Sequence, residues 1–284
     1  MLKTLLILFT LVSFTLVSFA GVSATMGETD NIAGKPIWEA GVFTAAFHGP
    51  IYPASSDNQH KFLPVPFVIY RGEKIRVGDG SFVKAVAVEK ERFKLDISLG
   101  AAFNADSEDS KIREGMPDLD FMFEIGPQAS FLLADNSYSS TWLNLQLRSV
   151  FSSDFSTINQ RGYIFQPEVA FKGQGIVSDN STLGLAISPI FASKKTHQYF
   201  YDVDSQYVND QRPYYQSEGG YLGSKVSVFN RFQISKNLSV FGAMQIGYWK
   251  GAKNEQSPLH QQNVTYTFAI GVKWTLAESA NKAG

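Results

Sequence analysis

The sequence predicts an all-β fold, an antiparallel up-and-down transmembrane β-barrel of about twelve strands, with ten strands as the alternative. Three observations predict this fold. Long segments alternate between apolar and polar residues with a period of two. Aromatic residues make up 14% of the chain and charged residues only 18%, which favours strands over a highly solvated surface. The mean hydropathy is -0.09, which is typical of strands that alternate between lipid and a polar lumen.

The first segment is typical of a secretory signal peptide. Lys3 precedes an apolar run from Leu5 to Phe19, and the small residues Val22-Ser23-Ala24 offer a cleavage site after Ala24. A transmembrane helix is the alternative, but no charged stop-transfer segment follows, and no later run of about 18 apolar residues occurs. We therefore expect a signal peptide over 1–24, a periplasmic segment over 25–36, a barrel over 37–275 and a polar tail over 276–284.

The alternating segments predict the strands in order. Residues 119–133 are a clear example, because Phe121, Phe123 and Ile125 alternate with Asp120 and Glu124. Strands of soluble sandwiches usually have about 5–6 residues, whereas a tilted strand needs about 9–11 to cross a bilayer. We predict strands near 37–47, 63–71, 74–77, 81–88, 92–103, 119–133, 140–151, 162–172, 182–192, 218–234, 238–249 and 264–274.

The connections between these strands mostly alternate between long and short. Outer-membrane barrels have short periplasmic turns and longer extracellular loops. With a periplasmic N-terminus and an even number of strands, the long connections all fall outside. They are 48–62, 104–118, 152–161, 193–217 and 250–263. We therefore expect the outer membrane of a Gram-negative bacterium as the location and its lipid as a partner.

Charged residues lie on the predicted lumen face of the strands. Buried charges must be paired, so we expect them to form a network across the bore that leaves it closed or very narrow. A selective channel is the alternative, because rings of charge also select ions. Glu39 belongs to this face, and the network is expected to contain Lys94, Asp96, Asp120, Glu124, Arg148, Glu168, Lys172, Lys225, Arg231 and Lys273.

The connection at 193–217 is rich in aromatic residues. Tyr-rich loops supply rigid, amphipathic contact area. This pattern predicts either a binding surface or a lid over the lumen, and an aromatic girdle at the membrane rim is an equal alternative. The residues are Tyr199, Phe200, Tyr201, Tyr207, Tyr214 and Tyr215.

No pattern in the sequence indicates catalysis, a cofactor or nucleic-acid binding. The four histidines, at positions 48, 60, 197 and 260, fall in predicted external loops, whereas a barrel phospholipase needs His and Ser together on the outer wall. The acidic loop 104–118 could offer oxygen ligands to Ca²⁺, but it lacks EF-hand spacing, so we predict no metal site. The net charge of -1 gives no basic surface for nucleic acid. We expect a protein that is not an enzyme.

Several short motifs, in order along the chain, resemble those of the MltA-interacting protein (MipA)/OmpV family of outer-membrane proteins. They are Gly49-Pro50-Ile51-Tyr52-Pro53-Ala54-Ser55, Leu63-Pro64-Val65-Pro66, Tyr70-Arg71-Gly72, Gly115-Met116-Pro117-Asp118, Glu124-Ile125-Gly126-Pro127, Tyr199-Phe200-Tyr201-Asp202-Val203 and Gly219-Gly220. Ala54 stands where the family usually has Gly, and the chain continues past Trp274 where barrels often end on an aromatic residue.

The resemblance implies a scaffold that joins a murein hydrolase, a lytic transglycosylase, to a peptidoglycan synthase, and it implies no catalytic residues. A scaffold linked to peptidoglycan synthesis and turnover is therefore our first hypothesis of function. A narrow channel or uptake porin is the second, and a surface-exposed adhesin or binding protein is the third. The oligomeric state stays open at this point.

Overall fold

The computed structural model describes residues 34–72, 76–77, 83–84, 88–102 and 104–283. The expected signal peptide and most of the expected periplasmic segment lie outside these residues. In the described part of the chain, no helix combines the length and the hydropathy needed to cross a membrane.

Ten long antiparallel strands and three short ones dominate the structure, which confirms the predicted fold class. Each long strand has ten residues or more, enough to cross a bilayer at a tilt. The strands are β1 (Trp38–Pro50), β2 (Asn58–Arg71), β3 (Arg76–Val77), β4 (Val83–Lys84), β5 (Val88–Lys90), β6 (Phe93–Ala102), β7 (Phe121–Asp135), β8 (Ser139–Ser153), β9 (Ile158–Gln174), β10 (Ser181–Ala192), β11 (Gly220–Ser235), β12 (Leu238–Tyr248) and β13 (Val264–Glu278).

One curled sheet contains all thirteen strands, in the order β4-β3-β2-β1-β13-β12-β11-β10-β9-β8-β7-β6-β5. Strand β1 pairs with both β2 and β13, so the first and last long strands of the chain are neighbours. This pairing and the hairpin order are those of an up-and-down barrel. The expected strands 74–77 and 81–88 are described only at β3, β4 and the first residue of β5.

The two faces of the strands differ as the alternation predicts. On β7, Ile125 and Phe131 are exposed on the outer face, whereas Gln128 and Ser130 are buried on the inner face. On β8, the inner face carries Asn144 and other buried polar side chains. The outer face is therefore the lipid-facing side, and the polar face lines a lumen.

Aromatic residues on the outer face form two girdles. Near the end of the sheet where β1 begins and β13 ends, the exposed side chains are Trp38, Tyr70 and Trp274. Near the opposite end they are Tyr163, Tyr248 and Tyr266. Two aromatic belts that flank an apolar band are the usual pattern of a barrel at the two membrane–water interfaces.

The outer hairpins extend further than the alternation predicts. The connection expected at 48–62 is only 51–57, and the one expected at 152–161 is only 154–157. The prediction that His48 and His60 lie in a loop is therefore wrong, because they are paired neighbours on β1 and β2. The reason is that cross-strand hydrogen bonding continues beyond the apolar band, where side chains no longer alternate between apolar and polar and so do not indicate a strand.

The C-terminal segment continues to pair past the expected end of the barrel. Strand β13 runs to Glu278, three residues beyond the predicted boundary at 275. Lys282 then forms an antiparallel bridge with Pro36, and the Ala283 N–H donates to the Lys35 carbonyl at 2.8 Å. The tail therefore lies along the N-terminal segment at the end of the sheet that carries the short turns.

Candidate functional site: a roofed lumen

Four connections at one end of the barrel fold over its mouth, and together we call them the roof: residues 51–57, 104–120, 193–219 and 249–263. Their apolar side chains form one buried cluster with the inner wall of the strands. The roof contributes Ile51, Tyr52, Met116, Leu119, Phe200, Tyr201, Val203, Trp249 and Leu259, and the wall contributes Met122, Val150, Ile164, Ile190 and Leu222. Because these apolar side chains bury one another, the roof is a packed layer.

Helix α1 (Lys194–Tyr201) carries the aromatic residues into the roof. Ser193 precedes the helix in an extended conformation, and the Thr196 hydroxyl donates to the Arg161 carbonyl at 2.8 Å, which ties the helix to β9. Of the six aromatic residues that the sequence singles out, Phe200 and Tyr201 are buried in the cluster, and Tyr199, Tyr207 and Tyr215 pack against it. Tyr214 is 52% exposed.

Two buried arginines connect the roof segments through backbone carbonyls. Arg113 donates to the Phe200 carbonyl at 3.3 Å and to the Pro117 carbonyl at 3.1 Å. Arg212 donates to the Ile112 carbonyl at 2.6 Å and to two further carbonyls. A guanidinium has five donors in a fixed plane, so each arginine bridges several backbone acceptors at once. Neither arginine stands out in the sequence, because both lie in predicted loops.

His197 and Asn254 form a second buried connection between roof segments. The His197 ring accepts at Nδ1 from Asn254 Nδ2 at 2.8 Å, and Nε2 donates to the Gly220 carbonyl at 3.2 Å. Asn254 also donates to the Glu218 carbonyl at 2.8 Å and accepts from the Glu218 N–H at 2.9 Å. Burial lowers the pKa of His197 below its usual value. The histidine is therefore held neutral, in one tautomer.

Two tyrosines fix the segment 51–57 beneath the other roof segments. The Tyr52 hydroxyl donates to the Leu259 carbonyl and the Tyr201 hydroxyl to the Pro53 carbonyl, both at 2.9 Å. Burial raises the pKa of Tyr52 to about 12 and that of Tyr201 well above its usual value. Both phenols therefore stay protonated and keep their donors.

The charged residues of the lumen lie in groups at different depths, and the central group surrounds Arg148. Its guanidinium is 2.8 Å from the Glu124 carboxylate and donates to Gln166 Oε1 at 2.6 Å, to Ser98 Oγ at 3.1 Å and to Gln146 Oε1. The neighbouring Glu168 accepts from Asn144 at 3.1 Å and from Gln146 at 3.4 Å. Lys225 lines the same cavity as Glu124 and Arg148.

A second group lies near the start of β1 and the end of β13. The Glu39 carboxylate is 2.7 Å from the Arg71 guanidinium and 3.0 Å from Lys273 Nζ. Arg71 also donates to the Pro36 carbonyl at 2.9 Å. This group links β1, β2 and β13 at the place where the first and last long strands pair. Arg71 was missing from the predicted network, although it lies on the same alternating face as the other lumen residues.

A third group lies just under the roof. The Asp120 carboxylate accepts from the Ser152 hydroxyl at 3.0 Å and is 3.5 Å from the Arg161 guanidinium. The Arg161 guanidinium lies over the Tyr199 ring, 4.4 Å from its centroid. Arg161 was also missing from the predicted network, because the sequence places it in a loop.

The remaining predicted network residues also face the lumen. Lys94 Nζ lies 4.9 Å from the centroid of the Trp142 ring, and Arg231 is 3.5 Å from the Thr182 hydroxyl. Asp96 and Lys172 lie on the inner faces of β6 and β9.

Phenylalanine side chains project into the bore between the group around Arg148 and the group around Glu39. The Phe43 and Phe241 rings stack with centroids 5.0 Å apart, and Phe229 lies 6.0 Å from Phe241. A Cβ at Gly271 would overlap the Phe241 ring, so this glycine makes room for it. Alternation places Phe229 on the same face as Lys225 and Arg231, and glycine opposite an inward phenylalanine is the further signal that could have found this layer.

A cavity of about 170 Å³ remains between the roof and the central group. Apolar roof and wall residues line its upper part, among them Tyr52, Phe200 and Trp249. Glu124, Arg148 and Lys225 line it below.

Two histidines lie on the outer wall of the barrel near its roofed end. The His48 and His60 rings are 4.4 Å apart between centroids. Within the described ranges, no group of three or more His, Cys, Asp or Glu side chains is arranged to hold a metal ion. The acidic loop has a structural contact instead, because Asp118 accepts from the Ser107 N–H at 2.6 Å.

The model of the family described as MltA-interacting protein MipA matches residues 42–276. The chain belongs to the MltA-interacting protein family. The match includes all or most of every long strand and the whole roof, so it agrees with the resemblance carried by the short motifs. No curated protein matches the sequence.

Several solved structures of outer-membrane proteins are similar in fold to this MltA-interacting family member. An outer-membrane channel from Pseudomonas putida F1, described as COG4313, has a TM-score of 0.46 and 8% identity, with 86% of this chain and 97% of that chain covered. The NanC porin has a TM-score of 0.40 and 6% identity, with 83% of this chain and 100% of the porin covered. Outer membrane phospholipase A from Escherichia coli has a TM-score of 0.35 and 10% identity, with 89% of this chain and 96% of the phospholipase covered.

The family and the lipid-facing sheet together place the chain in the bacterial outer membrane. The apolar outer face and the two aromatic girdles fit outer-membrane lipid as its surroundings.

Proposed function

We propose that this protein is a non-enzymatic outer-membrane scaffold linked to the peptidoglycan synthesis and turnover machinery, with a periplasmic murein hydrolase or synthase as its partner. The family description, MltA-interacting protein, supplies the kind of partner. One structural observation carries the rest of the proposal: a packed roof and inward side chains occupy the bore. A barrel whose interior is filled acts through its surfaces.

The filled bore argues against a general porin. Porins of 16–18 strands leave an aqueous channel, whereas a barrel with far fewer strands has an interior that side chains can fill. Here the roof packs over one end, Arg148 joins partners on β6, β7 and β9 at the middle of the wall, and Phe43 and Phe241 stack below them.

The turns at the end opposite the roof offer a surface for a periplasmic partner. Tyr138 is 74% exposed in the turn between β7 and β8, and Ile176 and Val177 are exposed in the turn between β9 and β10. The two turns are joined by a 2.7 Å hydrogen bond from the Gln174 N–H to the Tyr138 carbonyl. Exposed apolar residues on adjoining turns are typical of an interaction site.

The experiment that tests this proposal measures binding of the MltA-type lytic transglycosylase of the same bacterium to the protein in lipid nanodiscs. We expect saturable binding that weakens at least tenfold in the variant Tyr138→Ser/Ile176→Ser, because truncating an anchor residue of an interface removes about 2 kcal/mol or more. Tyr214→Ser is the matched control, since Tyr214 is exposed at the roofed end. Equal binding by both variants, or no binding by the wild type, would contradict the proposal.

A narrow channel is the second candidate, and the cavity above the Arg148 group is the observation that favours it. A steady conductance of the wild-type protein in a planar bilayer would indicate a channel, and its absence would favour a scaffold. The adhesin hypothesis has less support, because of the six aromatic residues at 199–215 only Tyr214 is exposed at the surface.

A further inference from the structure

The cavity beneath the roof has two chemically different parts. Its upper part is mostly apolar, with Trp249, Phe200 and Leu222 among the lining residues, and Asp120 lines the cavity as well. Its lower part is charged, with Glu124, Arg148 and Lys225. An apolar space above a charged floor is complementary to a small amphiphilic molecule.

The size of the cavity limits such a molecule. An apolar cavity of about 150 Å³ in another protein holds benzene, and this cavity is about 170 Å³. A ligand of roughly eight to ten non-hydrogen atoms therefore fits.

The charges on the floor select the polar group of the ligand. Both carboxylates that line the cavity are already paired with arginines, Glu124 with Arg148 at 2.8 Å and Asp120 with Arg161 at 3.5 Å. A ligand amine would have to compete with these guanidiniums. The Lys225 ammonium has three N–H donors, so it can hold a ligand carboxylate in addition to its contacts with the protein.

We propose that the cavity between the roof and the Arg148 group binds a small monocarboxylate with an apolar body. The carboxylate meets Lys225 on the floor, and the body lies against Trp249 and Phe200. This site is independent of the periplasmic surface proposed above, so either proposal can fail without the other.

Phenylacetate is a suitable probe, because it has ten non-hydrogen atoms, a carboxylate and an aromatic ring. Its neutral analogue of the same shape is 2-phenylacetamide. Trp249 reports binding by fluorescence, since it lines the cavity and is 2% exposed. The chain has four tryptophans, so the measurement uses the variant Trp38→Phe/Trp142→Phe/Trp274→Phe, and calorimetry on the unaltered protein provides a second measurement.

Three substitutions test the assignment. Lys225→Met removes the charge but keeps the length of the side chain, and Ala269→Leu fills part of the cavity. Lys172→Met is the matched control, because Lys172 faces the lumen but does not line the cavity. The heat-dependent shift in electrophoretic mobility of folded barrels shows that each variant has folded.

We expect saturable binding of phenylacetate, at least tenfold weaker binding of 2-phenylacetamide, and a loss of at least tenfold in Lys225→Met, as for removal of a charge-assisted hydrogen bond. Ala269→Leu should abolish binding, and Lys172→Met should leave it within about twofold. The absence of saturable binding in the wild type, equal binding of the amide, or unchanged binding in Lys225→Met would each overturn the proposal.

Discussion

Asn254 Nδ2 donates a 2.8 Å hydrogen bond to Nδ1 of His197, and this contact joins two roof segments at a point where His197 is fully buried. The two residues are 57 positions apart in the sequence. The amide of Asn254 is fully used, since its oxygen accepts from the Tyr215 hydroxyl and the Glu218 N–H. The roof therefore depends on a few side chains with several partners each.

Asn254→Ala should loosen the roof. The substitution leaves His197 Nδ1 and the Glu218 backbone without partners, and each buried polar group left unsatisfied costs about 1–3 kcal/mol. We expect faster proteolysis within residues 193–219 and a lower midpoint of thermal unfolding. Asn159→Ala, at an exposed position on β9, serves as the control and should behave as the wild type does. Equal proteolysis of the two variants would contradict the role of Asn254.

The stability of the roof should fall in mild acid because of His197. Burial lowers its pKa in the closed roof, so the open state binds more protons below the usual histidine pKa of about 6.5. Stability is therefore fully present above that pH and is lost as the pH falls towards the pKa of the closed state.

Hydrogen exchange of residues 193–219 at pH 7.5 and pH 5 measures this effect. We expect faster exchange at pH 5 in the wild type and a smaller difference in His197→Gln, which cannot titrate. Glu218 is the nearby acid, and its pKa is lowered by Lys253, so it stays charged in this range. The same pH dependence in both proteins would assign the effect to another group.

Removing only Arg148 from the Arg148–Glu124 pair should lower the free energy of unfolding more than removing both charges. Arg148→Met removes the guanidinium that lies 2.8 Å from the Glu124 carboxylate, and breaking a buried pair costs about 3–5 kcal/mol. The double variant Arg148→Met/Glu124→Gln removes both charges of the pair and should recover part of that loss in urea unfolding. Lys236→Ala is the control, because its ion pair with Glu278 is exposed and contributes about 0–1 kcal/mol. Additive effects of the two lumen substitutions would show that the pair is not coupled.

Gly271→Ala should destabilise the barrel, and Gly242→Ala should not. A Cβ at Gly271 would overlap both the Phe241 ring and the Thr44 backbone carbonyl, whereas at Gly242 the nearest atom is 4.0 Å away. We expect a loss of about 1–3 kcal/mol from overpacking at position 271, measured by urea unfolding in lipid vesicles. Unchanged stability of Gly271→Ala would contradict close packing of Phe241 and Thr44 against this glycine.

The sequence predicts the barrel well because alternation is a local pattern set by the two faces of each strand. The exposed Ile125 and Phe131 and the buried Gln128 lie where that pattern puts them. The alternation of apolar and polar side chains does not extend beyond the apolar band. For that reason it predicts a loop at His48, which lies on β1.

The roof could not be predicted, because its contacts join residues that are far apart in the sequence. The Tyr52 hydroxyl and the Leu259 carbonyl are separated by 207 positions. Composition identified the aromatic segment at 193–217, but it could not distinguish a lid from a binding surface, since both use tyrosine. Phe241 shares its alternating face with Ser239 and Gln245, so it points inward, but its stacking on Phe43 joins residues that are far apart in the sequence.

The central claim is that the bore is closed, and single-channel conductance in a planar bilayer tests it most directly. We predict no steady conductance for the wild type. The variant Arg148→Ala/Glu124→Ala/Asn254→Ala, in which both the central group and the roof are weakened, should show openings under the same voltage. A steady conductance in the wild type would contradict the account and identify the protein as a narrow channel.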